Sequence, residues 1–92
     1  VVFFVAADAE GAAGAMTLAA RLRKGGIACD LDARGGKLQR QFKQAERVGA
    51  RWALVLGGAE LASGQAKLKD MNTREETAVA LSELVERVRA LG

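Results

Sequence analysis

The residues best suited to chemistry in this sequence are basic, and they are concentrated in one segment. Residues 34–51 hold six lysines and arginines against one acid, Glu46, so the segment carries +5, whereas the 92-residue chain carries +3. Dense positive charge attracts polyanions such as nucleic acids. Helical spacing puts Arg40, Lys43 and Arg47 on one face, where we expect contacts with backbone phosphates. The alternative is that these three residues form the solvated face of an amphipathic helix.

The other residue types exclude most catalytic chemistry. The chain has no histidine, so it holds no Ser-His-Asp triad, Cys-His pair or imidazole metal ligand. Its single cysteine, Cys29, can form neither an internal disulfide nor a thiolate zinc site, and we expect a small buried residue there. The longest apolar runs fall far short of the roughly 20 residues that span a membrane. We therefore predict a binding module without catalytic residues, metal ligands or a membrane segment.

Glu60 is the acidic residue best placed for recognition. Residues 57–64 have the sequence GGAELASG, which predicts a tight turn around Glu60. A carboxylate there can accept hydrogen bonds from the exocyclic amine or ring N–H of a base. Its alternative roles are a salt bridge or a cap of the turn. The few aromatic residues lie mostly in predicted core elements, so we expect base recognition through polar side chains rather than aromatic stacking.

A glycine pair, Gly11-x-x-Gly14, follows the first predicted strand and opens a helix, as in dinucleotide-binding folds. The preceding turn, however, lacks the early glycines that admit a pyrophosphate, and it carries Asp8 and Glu10 where phosphates would lie. We therefore reject a dinucleotide site and predict that Asp8 caps the helix.

The spacing of apolar residues predicts alternating strands and helices. The predicted strands cover residues 1–6, 27–31, 52–56, 65–70 and 77–81. The predicted helices are one capped by Asp8 and ended by Gly25-Gly26, one with the apolar stripe Leu38, Phe42 and Ala45 that Gly49 ends, and one capped by Ser82.

The lengths of the connections then fix the strand directions. Helical crossovers make the first three strands parallel, whereas residues 58–64 and 71–76 are too few for crossovers, so the fourth strand runs antiparallel to its neighbours. The prediction is a three-layer α/β/α fold with a mixed five-stranded sheet of order 2-1-3-4-5. Ligands of such sheets bind beyond the carboxyl ends of the parallel strands, here residues 6–11, 32–37 and 57–60, which we call the rim.

Three ordered motifs lie within the stretch from Gly26 to Met71, which is half of the chain. They are KLxxQFxxAxxxGA from Lys37 to Ala50, ALVLGxxEL from Ala53 to Leu61, and KLKDM from Lys67 to Met71. In this order they resemble the C-terminal anticodon-binding domain of class II aminoacyl-tRNA synthetases, and most closely that of the histidyl-tRNA synthetase family. The resemblance implies a mixed five-stranded sheet with three helices, which agrees with the fold predicted above. It also implies a module that recognises a tRNA anticodon.

The resemblance implies roles for individual residues as well. The expected anticodon-binding residues are Arg34 and Gly35 in the loop that meets the anticodon, Lys37 and Gln41 in the adjoining helix, and Glu60 and Lys69 at positions that contact anticodon bases or their backbone. The implied partner is the anticodon stem-loop of tRNA(His). Residues 7–14 match the family least.

A module of this kind is expected to belong to a longer enzyme. Residues 1–92 are then one domain, a C-terminal fragment of a histidine–tRNA ligase, which by itself is non-catalytic and binds no cofactor. The resemblance implies that the parent enzyme uses ATP and Mg²⁺ in a separate catalytic domain and is a cytoplasmic homodimer. The alternative is a structural or regulatory module of a synthetase-like paralogue, which keeps the fold and does not bind tRNA.

Overall fold

A five-stranded sheet with helices on both faces organises the chain. The structure is a computed structural model, and it describes residues 2–32 and 36–91. Its elements in chain order are β1 (Val2–Ala6), α1 (Ala9–Lys24), β2 (Cys29–Leu31), α2 (Leu38–Arg47), β3 (Trp52–Leu56), α3 (Gly58–Ser63), β4 (Gln65–Asp70), β5 (Glu76–Ala80), a 3₁₀ turn (Leu81–Glu83) and α4 (Leu84–Ala90). No helix in the described ranges is long and apolar enough to cross a membrane.

The strand order is β2-β1-β3-β4-β5, as predicted from the connections. Strand β1 pairs in parallel with β2 and β3, whereas β4 pairs antiparallel with β3 and β5. The predicted bounds of β3 and β4 are confirmed. Strand β3 is an unbroken apolar run that ends before Gly57, and β4 is an unbroken alternating pattern that ends at an Asx turn formed by Asp70. The rim therefore lies where β1, β2 and β3 end, at Ala6, Leu31 and Leu56.

The two faces of the sheet are covered unequally. Phe4, Leu54 and Leu68 lie on the face that α1 and α4 cover, and they belong to the larger of two apolar clusters. The opposite face holds a smaller cluster built around Phe3 and Val5, to which α2 contributes Ala45. Helix α2 packs over β1, so β4 and β5 have no helix above them on that side within the described residues.

The uncovered side forms a continuous surface beside α2. Val55, Lys67 and Ala78 are directly opposite one another on β3, β4 and β5, and Lys69 follows two residues after Lys67 on the same face. Lys67 and Ala78 are exposed, and the other two are half-buried. We call these four residues the open sheet face.

Several predicted local features are wrong. Residues 58–63 form the short helix α3 rather than a tight turn, because a carboxylate from another segment caps its first amide. Ser82 lies inside the 3₁₀ turn and caps no helix through its side chain. Strand β2 is two residues shorter than predicted, because the Ile27 amide donates to the Leu22 carbonyl and closes the end of α1 instead of entering the sheet. Strand β5 spans Glu76–Ala80, so it begins and ends one residue earlier than predicted, because Leu81 starts the 3₁₀ turn.

Candidate nucleic-acid interface

A line of basic side chains follows α2 from the rim toward the other end of the sheet. We call Lys37, Arg40, Lys43 and Arg47 the basic strip. All four are exposed, and the last three lie within about 60° of arc, because a helix turns by about 100° per residue. Arg40 is oriented by Asp32, whose carboxylate lies 3.5 Å from its guanidinium. The strip thus presents exposed positive charge along one helix, which suits the negative charge of a phosphate backbone.

Gln41 lies beneath this strip and is buried, with 1% of its surface exposed, whereas the predicted stripe residue Leu38 is 41% exposed. Its side-chain amide donates to the carbonyls of Ala6 and Gly36 at 2.8 and 2.9 Å and accepts from the Ala6 amide at 2.8 Å. Strand β2 ends opposite Phe4, so Ala6 has no strand partner on that side, and the Gln41 amide takes its place. Gln41, an expected anticodon-binding residue, is therefore buried, and its side-chain amide is engaged by the backbone of Ala6 and Gly36.

On the other flank of α2, Phe42 borders the open sheet face. The Lys69 ammonium lies 4.6 Å from the centre of the Phe42 ring, a cation–π contact across the small side chain of Ala53. Lys67 lies two register pairs nearer the rim on the same face and is exposed. Lys69, an expected site residue, therefore has Lys67 as a neighbour. The sequence-based prediction missed Lys67, although a spacing of two residues on β4 places both lysines on one face.

Three carboxylates surround the start of α3 at the rim. Glu60 lies against Gly57 and Glu10 against Gly58, since a Cβ atom added at each glycine would come within 2.9 and 2.7 Å of their carboxylate oxygens. Asp8 accepts hydrogen bonds from the amides of Gly11 and Gly58. We call Asp8, Glu10 and Glu60 the rim carboxylates. No group of three metal-ligating side chains within residues 2–32 and 36–91 could hold a metal ion.

The amides that a dinucleotide phosphate would need are thus taken by the protein itself. Asp8 accepts hydrogen bonds from the Gly11 amide in the first turn of α1 and from the first amide of α3, Gly58, which supports rejecting a phosphate site at this point of the rim. Gly11 and Gly14, the glycine pair at the start of α1, allow close packing instead. A Cβ atom at Gly11 would overlap the Leu56 carbonyl, and one at Gly14 would meet the Leu61 side chain.

Residues 1–91 match the family model described as the anticodon binding domain. The chain belongs to this family. It is 75% identical over 87 residues to the histidine–tRNA ligases of Anaeromyxobacter sp. strain K and Anaeromyxobacter dehalogenans strain 2CP-1. These matches cover 95% of the chain and 21% of each ligase, so the domain spans about a fifth of the length of these relatives. The resemblance drawn from the three motifs is confirmed.

Solved structures agree with this assignment. The apo histidyl-tRNA synthetase of S. aureus superposes with a TM-score of 0.87 at 35% identity, covering 94% of this chain and 25% of that one. The histidyl-tRNA synthetase of Nostoc sp. PCC 7120 gives 0.88 at 25% identity, covering 99% and 21%. The RNA binding domain of threonyl-tRNA synthetase from Cryptosporidium parvum gives 0.88 at 14% identity, covering 99% and 23%, and shows the fold alone.

The remaining predicted residues of the anticodon-binding domain fall in different places. Arg34 and Gly35 lie outside the described residues. Arg51, which contributes to the basic segment, lies at the far end of the sheet from the rim. There its guanidinium is 5.1 Å from the Trp52 ring and 3.7 Å from Asp70. Among the described residues, the positive segment is therefore divided between the basic strip on α2 and Arg51 at the end of the sheet opposite the rim.

Cys29 plays no part in this interface. Its thiol is half-buried in β2 and donates a hydrogen bond to the Ala19 carbonyl at 3.4 Å. Burial raises the pKa of the Cys29 thiol, so the reactive thiolate is disfavoured at neutral pH. The sequence predicts a small buried residue here, whereas Cys29 is only half-buried, because β2 is the edge strand of the sheet.

Acid should weaken the domain in part through Asp8. The amides of Gly58 and Gly11 lower the pKa of its carboxyl group. A carboxyl group with a lowered folded-state pKa stabilises the fold above about pH 4, and this contribution is lost as the pH falls through that pKa. We expect Asp8→Asn to lower the urea midpoint by a constant amount between about pH 5 and 7 and by progressively less below about pH 4. Circular dichroism at each pH measures this difference, and a difference unchanged down to about pH 2 would contradict the assignment.

Proposed function

We propose that this domain recognises the anticodon of tRNA(His) as part of a histidine–tRNA ligase. The observation that carries the proposal is the 75% identity to two histidine–tRNA ligases across nearly the whole chain. The basic strip supports it, because exposed cations along one helix suit the phosphates of a stem-loop. Glu60 supports it too, because a carboxylate at the rim suits the N–H groups of a base.

The remaining parts of this function lie outside the chain. Attachment of histidine with ATP and Mg²⁺ is assigned to a catalytic domain of the parent ligase, for which this domain supplies recognition and no reacting group. The parent ligase is proposed to be a cytoplasmic homodimer. The domain's own contribution is then affinity from phosphate contacts and selectivity from base contacts, which separate variants can distinguish.

Loss of a phosphate contact should weaken all RNA ligands alike. Lys43→Gln is expected to lower affinity for every stem-loop and to reduce the slope of log K against log salt by about 0.7 to 1, because one phosphate loses its cation. Fluorescence anisotropy with a labelled tRNA(His) anticodon stem-loop at several salt concentrations measures both. Lys24→Gln, at the opposite end of α1 from the rim, is the matched charge control and should leave the slope unchanged. Equal effects of the two substitutions would contradict a phosphate-binding strip.

Loss of a base contact should instead act on selectivity. Glu60→Gln replaces one acceptor oxygen by a donor, so it is expected to reduce the preference for the histidine anticodon over substituted anticodons by about tenfold and to leave the salt slope unchanged. Titrations with stem-loops substituted at one anticodon base at a time measure this preference. A uniform loss of affinity across all loops would show that Glu60 does not contact a base.

A further inference from the structure

Asp8 connects two helices that are distant in the sequence. Its Oδ1 atom accepts from the Gly11 amide at 2.7 Å, and its Oδ1 and Oδ2 atoms lie 3.1 and 3.0 Å from the Gly58 amide nitrogen. Gly11 lies in the first turn of α1, and Gly58 is the first residue of α3. One carboxylate therefore caps both helices and fixes the start of α3 relative to α1.

Helix α3 depends on this bond more than a typical helix depends on its cap. It has six residues and buries none of them fully, and its N-cap residue, Gly57, has no side chain that could cap it. Such a short helix has little stability of its own. Its remaining support comes from neighbouring contacts, such as that of Leu61 with Gly14. Asp8 supplies the missing cap from a segment 50 residues away.

The Glu60 carboxylate lies close to the start of α3, where Asp8 caps the helix. A Cβ atom at Gly57 would be 2.9 Å from Glu60 Oε1 and 3.3 Å from Asp8 Oδ2, so both carboxylates approach the same bare stretch of backbone. The backbone of Gly57 is extended, with φ of −149°, so glycine is needed here for space rather than for an unusual conformation. The position of Glu60 thus depends on the capped start of α3 and on the absent side chain at residue 57.

We propose that Asp8 and Gly57 are positioning residues for base recognition, which hold the Glu60 carboxylate in the orientation that accepts hydrogen bonds from an anticodon base. This inference rests on the proposed function. In this arrangement Asp8 does not touch the RNA. It fixes α3, and the bare Gly57 backbone leaves room for the Glu60 side chain, so the two residues act on selectivity through Glu60.

The test compares selectivity in matched variants of this chain. Asp8→Ser keeps a good N-cap for α1, but a single short oxygen cannot also serve Gly58. Gly57→Ala places a methyl group 2.9 Å from the flexible end of Glu60 and 3.1 Å from the Ala7 Cβ atom, and circular dichroism checks that this variant folds. Asp70→Ser is the matched control, because Asp70 accepts from the amides of Asn72 and Thr73 in a turn at the opposite end of the sheet. The probes are the tRNA(His) anticodon stem-loop and stem-loops substituted at single anticodon bases.

Asp8→Ser and Gly57→Ala are each expected to reduce the preference for the histidine anticodon by about tenfold, as Glu60→Gln does, without changing the salt slope. Asp70→Ser should keep the wild-type preference even if its thermal midpoint falls as far as that of Asp8→Ser. The double variant Asp8→Ser/Glu60→Gln should lose no more selectivity than Glu60→Gln alone. Wild-type preference in Asp8→Ser or Gly57→Ala, with the Glu60→Gln effect intact, overturns the positioning role and leaves the proposed function standing. No preference in the wild-type domain overturns both.

Discussion

Replacing Gln41 by methionine is expected to lower the free energy of unfolding by roughly 2 to 4 kcal/mol. The side chains have similar size, so the change removes hydrogen bonds rather than volume. The Ala6 amide and carbonyl would then be left without their partners at the end of β1, in a place where the native side chain is 1% exposed. Each unpaired buried group costs about 1 to 3 kcal/mol, which is a large part of the stability of a small domain.

Urea unfolding followed by circular dichroism measures this loss. Gln39→Met is the matched control, because Gln39 is exposed on the same helix and should change stability by less than about 0.5 kcal/mol. Under conditions where Gln41→Met remains folded, its preference among anticodons should match that of the wild-type domain. A loss of selectivity without a loss of stability would show that Gln41 contacts RNA after all.

Gly11→Ala is expected to destabilise the domain by about 1 to 3 kcal/mol, although glycine-to-alanine changes in exposed helices stabilise them by up to about 1 kcal/mol. The added Cβ atom would overlap the carbonyl of Leu56, and it would lie 2.8 Å from the carbonyl carbon. These atoms belong to the backbone of β3, so they cannot rotate away. The first turn of α1 would have to move off the sheet, which also weakens the cap that Asp8 provides.

Gly14→Ala is the matched control for this prediction. Its Cβ atom would lie 2.8 to 2.9 Å from the two methyl carbons of Leu61, which can rotate away. The gain in helix propensity then offsets the crowding, and we expect stability within about 1 kcal/mol of the wild type. Thermal midpoints of the two variants measure the contrast. Equal midpoints would contradict the close packing of α1 on the end of β3.

The parts of the fold that the sequence predicts are those set by local patterns. The apolar run of β3, the alternation in β4 and the Asp8 cap are each visible within a few residues, and the short connections determine the strand order. The unpredicted parts depend on contacts between distant segments. Gln41 is buried because the last residue of β2 lies opposite Phe4, which leaves Ala6 without a strand partner on that side. Nothing near Gln41 in the sequence indicates this register.

The candidate site likewise has parts that local sequence patterns predict and parts that depend on contacts between distant segments. The spacing of Arg40, Lys43 and Arg47 predicts their shared exposed face, because helical periodicity is local. The second bond of Asp8 cannot be predicted, because Gly58 is 50 residues away and helix α3 forms where its own sequence suggests a turn. The net charge of the basic segment also conceals its division, since Arg51 immediately precedes β3 at the end of the sheet opposite the rim.

Anticodon recognition by this chain is tested most directly by two stem-loops that differ only in the three anticodon bases. One carries the histidine anticodon and the other an unrelated anticodon, and both have the stem and flanking loop of tRNA(His). We expect the domain to bind the first at least about tenfold more tightly at low and at moderate salt, because base contacts persist when phosphate contacts are screened. Equal dissociation constants at both salt concentrations would contradict anticodon recognition.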